Sequence, residues 1–519
     1  MKLNNLSRTK ASVVNSSVAT IAQIIQLIFQ FIARSVFIYT LGSKYLGLNG
    51  LFLNVLGYLN FAELGIGSAI TFSLYRPLNN HDDVQVSAVL HLFRKIYHYI
   101  ALVVLVAGLV ITPFVPRLIG GSTNGINVSI SKAFLLALSN TVLSYFTTYK
   151  RTLLIADQKS YVNTINTVGF NVAGQCIQII QLLIWNNFYA YLFIQVLMML
   201  ASNIRISYVV DHFYPTIDFN STEKVDPKVI QYLKKNIVGM FSAKLGGILV
   251  TGTDNILLSY YVGLIAVGMY SNYVMIINGL TMLINQLVSA VSASIGNLGV
   301  SRASKEHQER IFYQYFMITS LIALLASTGF SGFASAFVKL WISDKMVYSF
   351  LPLTIISLNF YLQMLRQSII NYTNAYGLYW YERWKTLFEA GVNLIISWYL
   401  IRNTNLGISG VLLGTIASNL IVNYIWESHI VLKYGLHTEE GRFLRLYAGF
   451  ISVGSIIIVG TTSIINYFAG PYLWRSILVT ICAEIFAVVA YTLVTIFFYP
   501  KAIEKIDFKR IFCNTFKHF

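Results

Sequence analysis

Apolar stretches long enough to cross a bilayer recur from one end of this chain to the other. A hydrocarbon core about 30 Å thick takes roughly 20 helical residues, and fourteen stretches reach or approach that length. The first seven cover 12–41, 45–75, 96–116, 132–150, 161–185, 187–209 and 236–261; the second seven cover 263–294, 311–340, 347–374, 386–402, 406–428, 446–468 and 474–499. Several exceed the minimum, which predicts tilt or helical extension beyond the membrane. With 56% hydrophobic and 11% charged residues, too few charges remain to clothe a soluble domain. The basic start (Lys2, Arg8, Lys10) precedes an apolar stretch too long for a signal-peptide core, so it reads as an uncleaved first span.

The distribution of charge tests the count. With the N-terminus placed in the cytoplasm, 27 of the 37 Lys and Arg fall in cytoplasmic segments and seven in external ones; Arg34, Lys244 and Arg366 lie inside spans. A miscounted helix would scramble that alternation from its position onward, so both termini are expected in the cytoplasm. The net charge of +17 follows from this topology and from attraction to anionic lipid, and it argues for no nucleic-acid partner. The seven tryptophans fall near predicted interfaces. Cys176 and Cys482 are in spans and Cys513 in the tail, so no disulfide is expected.

Nothing outside the membrane offers a seat for catalysis. The loop at 117–131 is rich in Gly, Ser and Asn, and 210–235 mixes acids with lysines as a solvated linker would. One His beside two adjacent acids, His81-Asp82-Asp83, cannot aim all three at one ion. Zinc spacings, phosphate loops and nucleophile elbows are missing from the sequence. The chain therefore reads as a non-enzyme without metal or cofactor.

Polar residues inside the spans carry the information. Gln23, Gln26, Gln30 and Arg34 fall within roughly 80° of one helix face at 100° per residue. Asn49, Asn60, Glu63 and Gly67 share a face of the second span, and Lys244, Gly247, Thr251 and Asp254 share one of the seventh. The eighth aligns Asn278, Thr281, Asn285, Ser289 and Ser292; the tenth aligns Asn359, Gln363, Arg366, Gln367 and Asn374. A charge at mid-helix costs about 2.5–3.5 kcal/mol on insertion scales and so faces protein or water. Two readings stand open: a wet interior, or interhelical glue with inert ion pairs. Three cations (Arg34, Lys244, Arg366) against two acids (Glu63, Asp254) leave a positive surplus, which favours an anionic cargo or a carboxylate neutralised by a proton. Glu389 and Glu427 sit near span ends and are expected to reach headgroups. Glu484 reads as a protonated or locally bonded carboxyl.

A faint repeat supports an internal symmetry. Tyr45-Leu46-Gly47-Leu48 opens the second span and Tyr261-Val262-Gly263-Leu264 the eighth, each after an outward span bearing an ionisable residue. Spans 1–6 and 7–12 then form parallel repeats with cargo between them. The expected organisation is an all-α membrane protein with a six-helix lobe over 1–209, a cytoplasmic linker over 210–235, a second six-helix lobe over 236–428, and helices 13–14 with a basic tail over 429–519.

Arg34-Ser35-Val36-Phe37 leading to Leu46-Gly47, the string Phe61-Ala62-Glu63-Leu64-Gly65-Ile66-Gly67-Ser68-Ala69, and Thr253-Asp254-Asn255-Ile256 before the Tyr-Val-Gly-Leu turn give the chain its family likeness. It resembles the polysaccharide repeat-unit flippases of the multidrug/oligosaccharidyl-lipid/polysaccharide (MOP) exporter superfamily. The resemblance implies transport of an oligosaccharide on undecaprenyl diphosphate across the bacterial cytoplasmic membrane by alternating access. Lipid-linked oligosaccharide and membrane lipids would be its partners, with polysaccharide polymerase and assembly proteins as further candidates. Arg34, Lys244 and Arg366 would suit phosphate, Gln30, Asn60, Asn285 and Gln363 would suit sugar, and Asp254 and Glu63 would couple transport to protons or sodium. Two alternatives share the compartment: a multidrug or small-molecule exporter of the same superfamily, and a membrane enzyme of lipid-linked sugar assembly.

Overall fold

A backbone in hydrocarbon must satisfy its own hydrogen bonds, and all the regular structure among the described residues is helical. The computed structural model describes residues 8–63, 66–119, 126–221, 252–300, 304–376, 378–469 and 473–498, together with 223, 225, 227 and 230. Among these, nine helices are long and apolar enough to cross a membrane, and each of the fourteen expected spans coincides at least in part with described helix. The protein is a multi-pass, all-α membrane protein.

Two compact units divide the chain, Met1–Ser271 with Ile401–Ile408, and Asn272–Leu400 with Ser409–Phe519. The first contains α1 (Arg8–Leu41), α2 (Ser43–Leu59), α3 (Ile66–Asn79), α4 (Asp83–Ile111), α5 (Ile130–Tyr145), α6 (Thr148–Ala156), α7 (Ser160–Trp185) and α8 (Phe188–Phe213). A helical stretch over 252–261, α9, and the start of α10 (Leu264–Val300) complete it. The second holds the rest of α10, then α11 (Lys305–Trp341), α12 (Phe350–Ala375), the short α13 (Tyr379–Glu382) and α14 (Lys385–Asn403). It ends with α15 (Ile408–Leu436), α16 (Glu440–Ile464) and α17 (Leu473–Phe498).

Side-chain caps set several helix starts. Asp82 accepts from the Gln85 amide at 3.0 Å and opens α4, so the His81-Asp82-Asp83 turn is a helix start. Asn187 accepts from the Ala190 amide at 3.1 Å to open α8, one residue after Asn186 reverses the chain in a left-handed conformation. The first part of the expected linker folds back on α4: the Ser87 hydroxyl accepts from the Asp218 amide at 3.0 Å, and Arg94 donates to Asn220.

Lipid solvates an apolar side chain as well as protein does, so packing quality and close backbone approach carry helix association. In the first unit α1 packs along α7, α7 along α8, and α5 against α4 and α8, around edge-on aromatic pairs such as Phe52–Phe134 and Tyr45–Phe188. In the second, α11 lies against α12, α16 and α17, over a cluster of Phe312, Phe316, Tyr372, Phe443 and Tyr447. Such pairs are each worth about 0.5–1.5 kcal/mol beyond area burial.

The two repeat strings meet. A Cβ on Gly47 would lie 1.9 Å from the Leu264 carbonyl oxygen, and one on Gly268 would lie 2.6 Å from the Ser43 carbonyl oxygen. The start of α2 and the start of α10 thus touch backbone to backbone, which only glycine allows at both places.

Candidate functional site

The second span is one continuous helix in the sequence reading but two in the structure. A 3₁₀ turn over Asn60–Glu63 closes α2, so the α-helical arc drawn through Asn49, Asn60, Glu63 and Gly67 does not hold. Asn60 and Glu63 nevertheless point at one feature. The Tyr145 hydroxyl donates to Asn60 Oδ1 at 2.7 Å, the Tyr97 hydroxyl donates to Glu63 Oε1 at 3.4 Å, and the two tyrosine rings stack 6.4 Å apart. A carboxylate and an amide are thereby held on aromatic hydroxyls from α4 and α5.

Arg34 is half-buried on α1 and donates through Nη2 to the Ser271 hydroxyl near the start of α10. Tyr191 of α8, itself bonded to Gln195, is its electrostatic neighbour. Gln30, also half-buried, lies one turn earlier on α1. Asp254 of α9 is buried, with Tyr58 and Tyr270 in electrostatic reach, and its neighbour Asn255 donates to Asn54 Oδ1 at 3.3 Å. Lys244 lies outside the described residues. In the first unit, then, the charged residues singled out from sequence sit among tyrosines, amides and serine. Side chains of these types can hydrogen-bond sugar hydroxyls, and a guanidinium is a group that phosphate accepts from.

The second unit is arranged differently. Arg366 on α12 meets Glu427 of α15 side-on, Nε to Oε2 at 3.1 Å and Nη2 to Oε1 at 2.6 Å. Its Nη1 reaches Asn419 at 2.5 Å and Glu389 at 3.4 Å. Lys385 adds a second cation to Glu427 Oε1 at 2.5 Å and approaches Glu382 at 3.7 Å, while Asn423 donates to Glu389 at 2.6 Å. Glu427 and Glu389, expected at the headgroups, are instead buried, at 1% and 9% exposure. The positive surplus counted from sequence therefore does not reside at Arg366.

The physical reason is local. Residues Asn419–Asn423 form a π-helical turn within α15, and one extra residue in a turn shifts everything after it by about 100°. In an uninterrupted α-helix Asn419 and Glu427 stand roughly 80° apart; with the π turn they come within about 20°, both facing α12. The sequence held one signal for this. A guanidinium in mid-span needs a counter-ion, and Glu389 and Glu427 are the acids in the two spans that follow it. Gln363, on the same helix, is exposed, and Asn285 of α10 is half-buried; neither joins this cluster.

Residues 12–293 match the family described as polysaccharide biosynthesis protein. The chain belongs to that family. No curated protein matches it. Among solved structures it is similar to the lipid II flippase MurJ in an inward closed conformation, with TM-score 0.62, 13% identity, 93% of this chain and 99% of the other covered. It is also similar to an inward-facing multidrug resistance MATE family transporter of the MOP superfamily (TM-score 0.59, 15% identity, 80% and 98% covered). The outward-facing form of such a transporter matches with TM-score 0.56 at 15% identity, covering 82% of this chain and 95% of that one. At these identities the likeness is one of fold, that of the MOP superfamily, whose members the motifs in α1, at the start of α2, in the 3₁₀ turn and α3, and in α9 resemble.

Proposed function

We propose that the protein is a flippase that carries an oligosaccharide repeat unit, linked to undecaprenyl diphosphate, across the bacterial cytoplasmic membrane for a cell-surface polysaccharide. The observation that carries this reading is the family match over 12–293, which takes in the segment where Arg34, Asn60, Glu63 and Asp254 are set among tyrosines and amides. Sugar hydroxyls and a diphosphate cannot cross hydrocarbon unaided, and these groups supply donors and acceptors that replace water. The fold, shared with transporters, supports a carrier that does no covalent chemistry. In this reading both termini are cytoplasmic and Arg34, with Lys244 in support, takes the anionic part of the cargo. Gln30, Asn60, Asn285 and Gln363 serve the sugar, and Arg366 reaches the anion only in a state that opens its ion cluster.

Asp254 and Glu63 are proposed to couple transport to a proton or sodium gradient, because a carboxylate within a span changes state with its cation. Polymerase and assembly proteins would take the product. The decisive experiment deletes the protein and locates lipid-linked oligosaccharide by leaflet. The expected result is accumulation in the inner leaflet, restored by the wild-type chain. Normal export with altered resistance to cationic drugs would replace this reading with that of a small-molecule exporter.

A further inference from the structure

Arg151 on α6 is held by four neutral groups. Its Nη1 donates to Asn163 Oδ1 at 2.8 Å and Thr167 Oγ1 at 2.9 Å on α7; its Nη2 donates to Ser202 Oγ at 2.9 Å and Asn203 Oδ1 at 3.2 Å on α8. The Ser202 hydroxyl also accepts from Asn166 Nδ2 at 2.8 Å, and Asn166 Oδ1 accepts from Arg205 Nη1 at 3.1 Å. Two guanidiniums are thus joined through Asn166 and Ser202, and neither forms an ion pair among the described residues. The neighbouring cation differs: Lys150 is neutralised by Asp211 at 2.5 Å. A part-buried charge without a counter-ion is costly, and here hydrogen bonds alone offset it.

Arg205 itself is exposed, and so are the apolar side chains around it: Ile204 at 70%, Tyr208 at 74% and Ile165 at 49%. That is a lipid-facing surface. Arg205 stands eight residues before the end of α8 at Phe213, about 12 Å along the axis, a depth from which a long basic side chain snorkels to the headgroups. Beside the N–H group given to Asn166, its exposed side chain has further N–H donors to offer.

We infer that Arg151 and Arg205 form a binding site for the phosphate of an anionic membrane lipid on the outer surface of the first unit. Arg205 supplies the fork that phosphate oxygens accept from, and Arg151, behind it, adds charge and fixes the Asn166–Ser202 network that aims it. The phosphate has two sources of one chemistry: the headgroup of an anionic phospholipid, or the diphosphate of a lipid-linked oligosaccharide. The first requires nothing of the transport reading; the second does.

The test is native mass spectrometry of the full-length protein in neutral detergent, titrated separately with phosphatidylglycerol, undecaprenyl diphosphate and uncharged diacylglycerol. Wild type should retain at least one of the two phosphate lipids and no diacylglycerol. Arg205→Gln should weaken that binding roughly ten- to a hundredfold, the span expected for charge-assisted hydrogen bonds, and Arg205→Lys should weaken it less. Arg94→Gln, which removes another basic residue of the same unit, should leave it unchanged. Loss with phosphatidylglycerol assigns a structural lipid; loss confined to undecaprenyl diphosphate assigns the cargo carrier. Equal binding by wild type and Arg205→Gln, equal loss in Arg94→Gln, or retention of diacylglycerol would overturn the site. Arg205 is exposed, so its variants test the proposal even if Arg151→Gln does not fold.

Discussion

Glu427 receives two cations on one oxygen, Arg366 at 2.6 Å and Lys385 at 2.5 Å, with its side chain 1% exposed. Removing one partner of such a buried pair leaves the other charge stranded, at a cost of about 3–5 kcal/mol. Glu427→Ala is therefore expected to lower the unfolding temperature of the detergent-solubilised protein markedly. Combining it with Arg366→Met should restore part of the loss, because the surviving Lys385 keeps Glu382 and Glu389. A double variant less stable than Glu427→Ala would mean that the ion cluster is not the source of the stability. Arg34 is the contrasting residue. On the transport hypothesis Arg34→Lys impairs export and Arg34→Ala impairs it more, at unchanged protein levels, since an ammonium lacks the planar fork. If Arg34→Ala with Asp254→Ala exports normally, Arg34 serves only to balance Asp254. The sequence made Arg34 and Arg366 stand out equally, because each is a charge in an apolar run. It could not separate one set among serine and tyrosine from one engaged by two carboxylates, since that depends on which faces meet.

Helical spans are legible because hydropathy and charge alternation act over twenty residues, whereas a π turn is one residue of register. A fixed 100° step cannot anticipate the turn at Asn419–Asn423, and it was the turn that carried Glu427 to Arg366. Deleting Ile421, which is 57% exposed, should relax the turn to α-helix and, with seven α steps in place of eight residues, leave Glu427 within about 20° of Asn419 and still facing Arg366. The deletion should therefore cost far less thermal stability than Glu427→Ala; a loss as large as that of Glu427→Ala would show that the ion cluster needs the π turn itself and not only the register it sets. The 3₁₀ break at Asn60–Glu63 escaped the reading for the same reason. The repeated Tyr-x-Gly-Leu string marked both helix starts, but that they touch backbone to backbone is seen only in the structure. Gly47→Ala should destabilise by about 1–3 kcal/mol or more through forced overpacking. Gly57→Ala on the same helix, where an added Cβ meets nothing within 4 Å, should instead be neutral or stabilising by about 0.5–1 kcal/mol. Equal unfolding temperatures for the two variants would remove the role given to the backbone contact.

Across the molecule, helix length sets what can face what. α11 runs 37 residues, about 55 Å at 1.5 Å per residue, against a hydrocarbon core of about 30 Å. Cysteines placed at Ser304 and Lys345, just beyond its two ends, in a background lacking Cys176, Cys482 and Cys513, should label from opposite sides of the membrane. With cytoplasmic termini, Lys345 reacts in intact cells and Ser304 only after permeabilisation; labelling of both from outside would overturn the span count. The excess length of α11 has a practical use. Its first residues are polar, Lys305, Glu306, His307 and Arg310 are exposed, and the helix continues without a break to Trp341. A soluble helical protein fused in register at Ser304 would be carried as a rigid extension of a transmembrane rod, giving a small, mostly lipid-buried particle an external landmark for imaging.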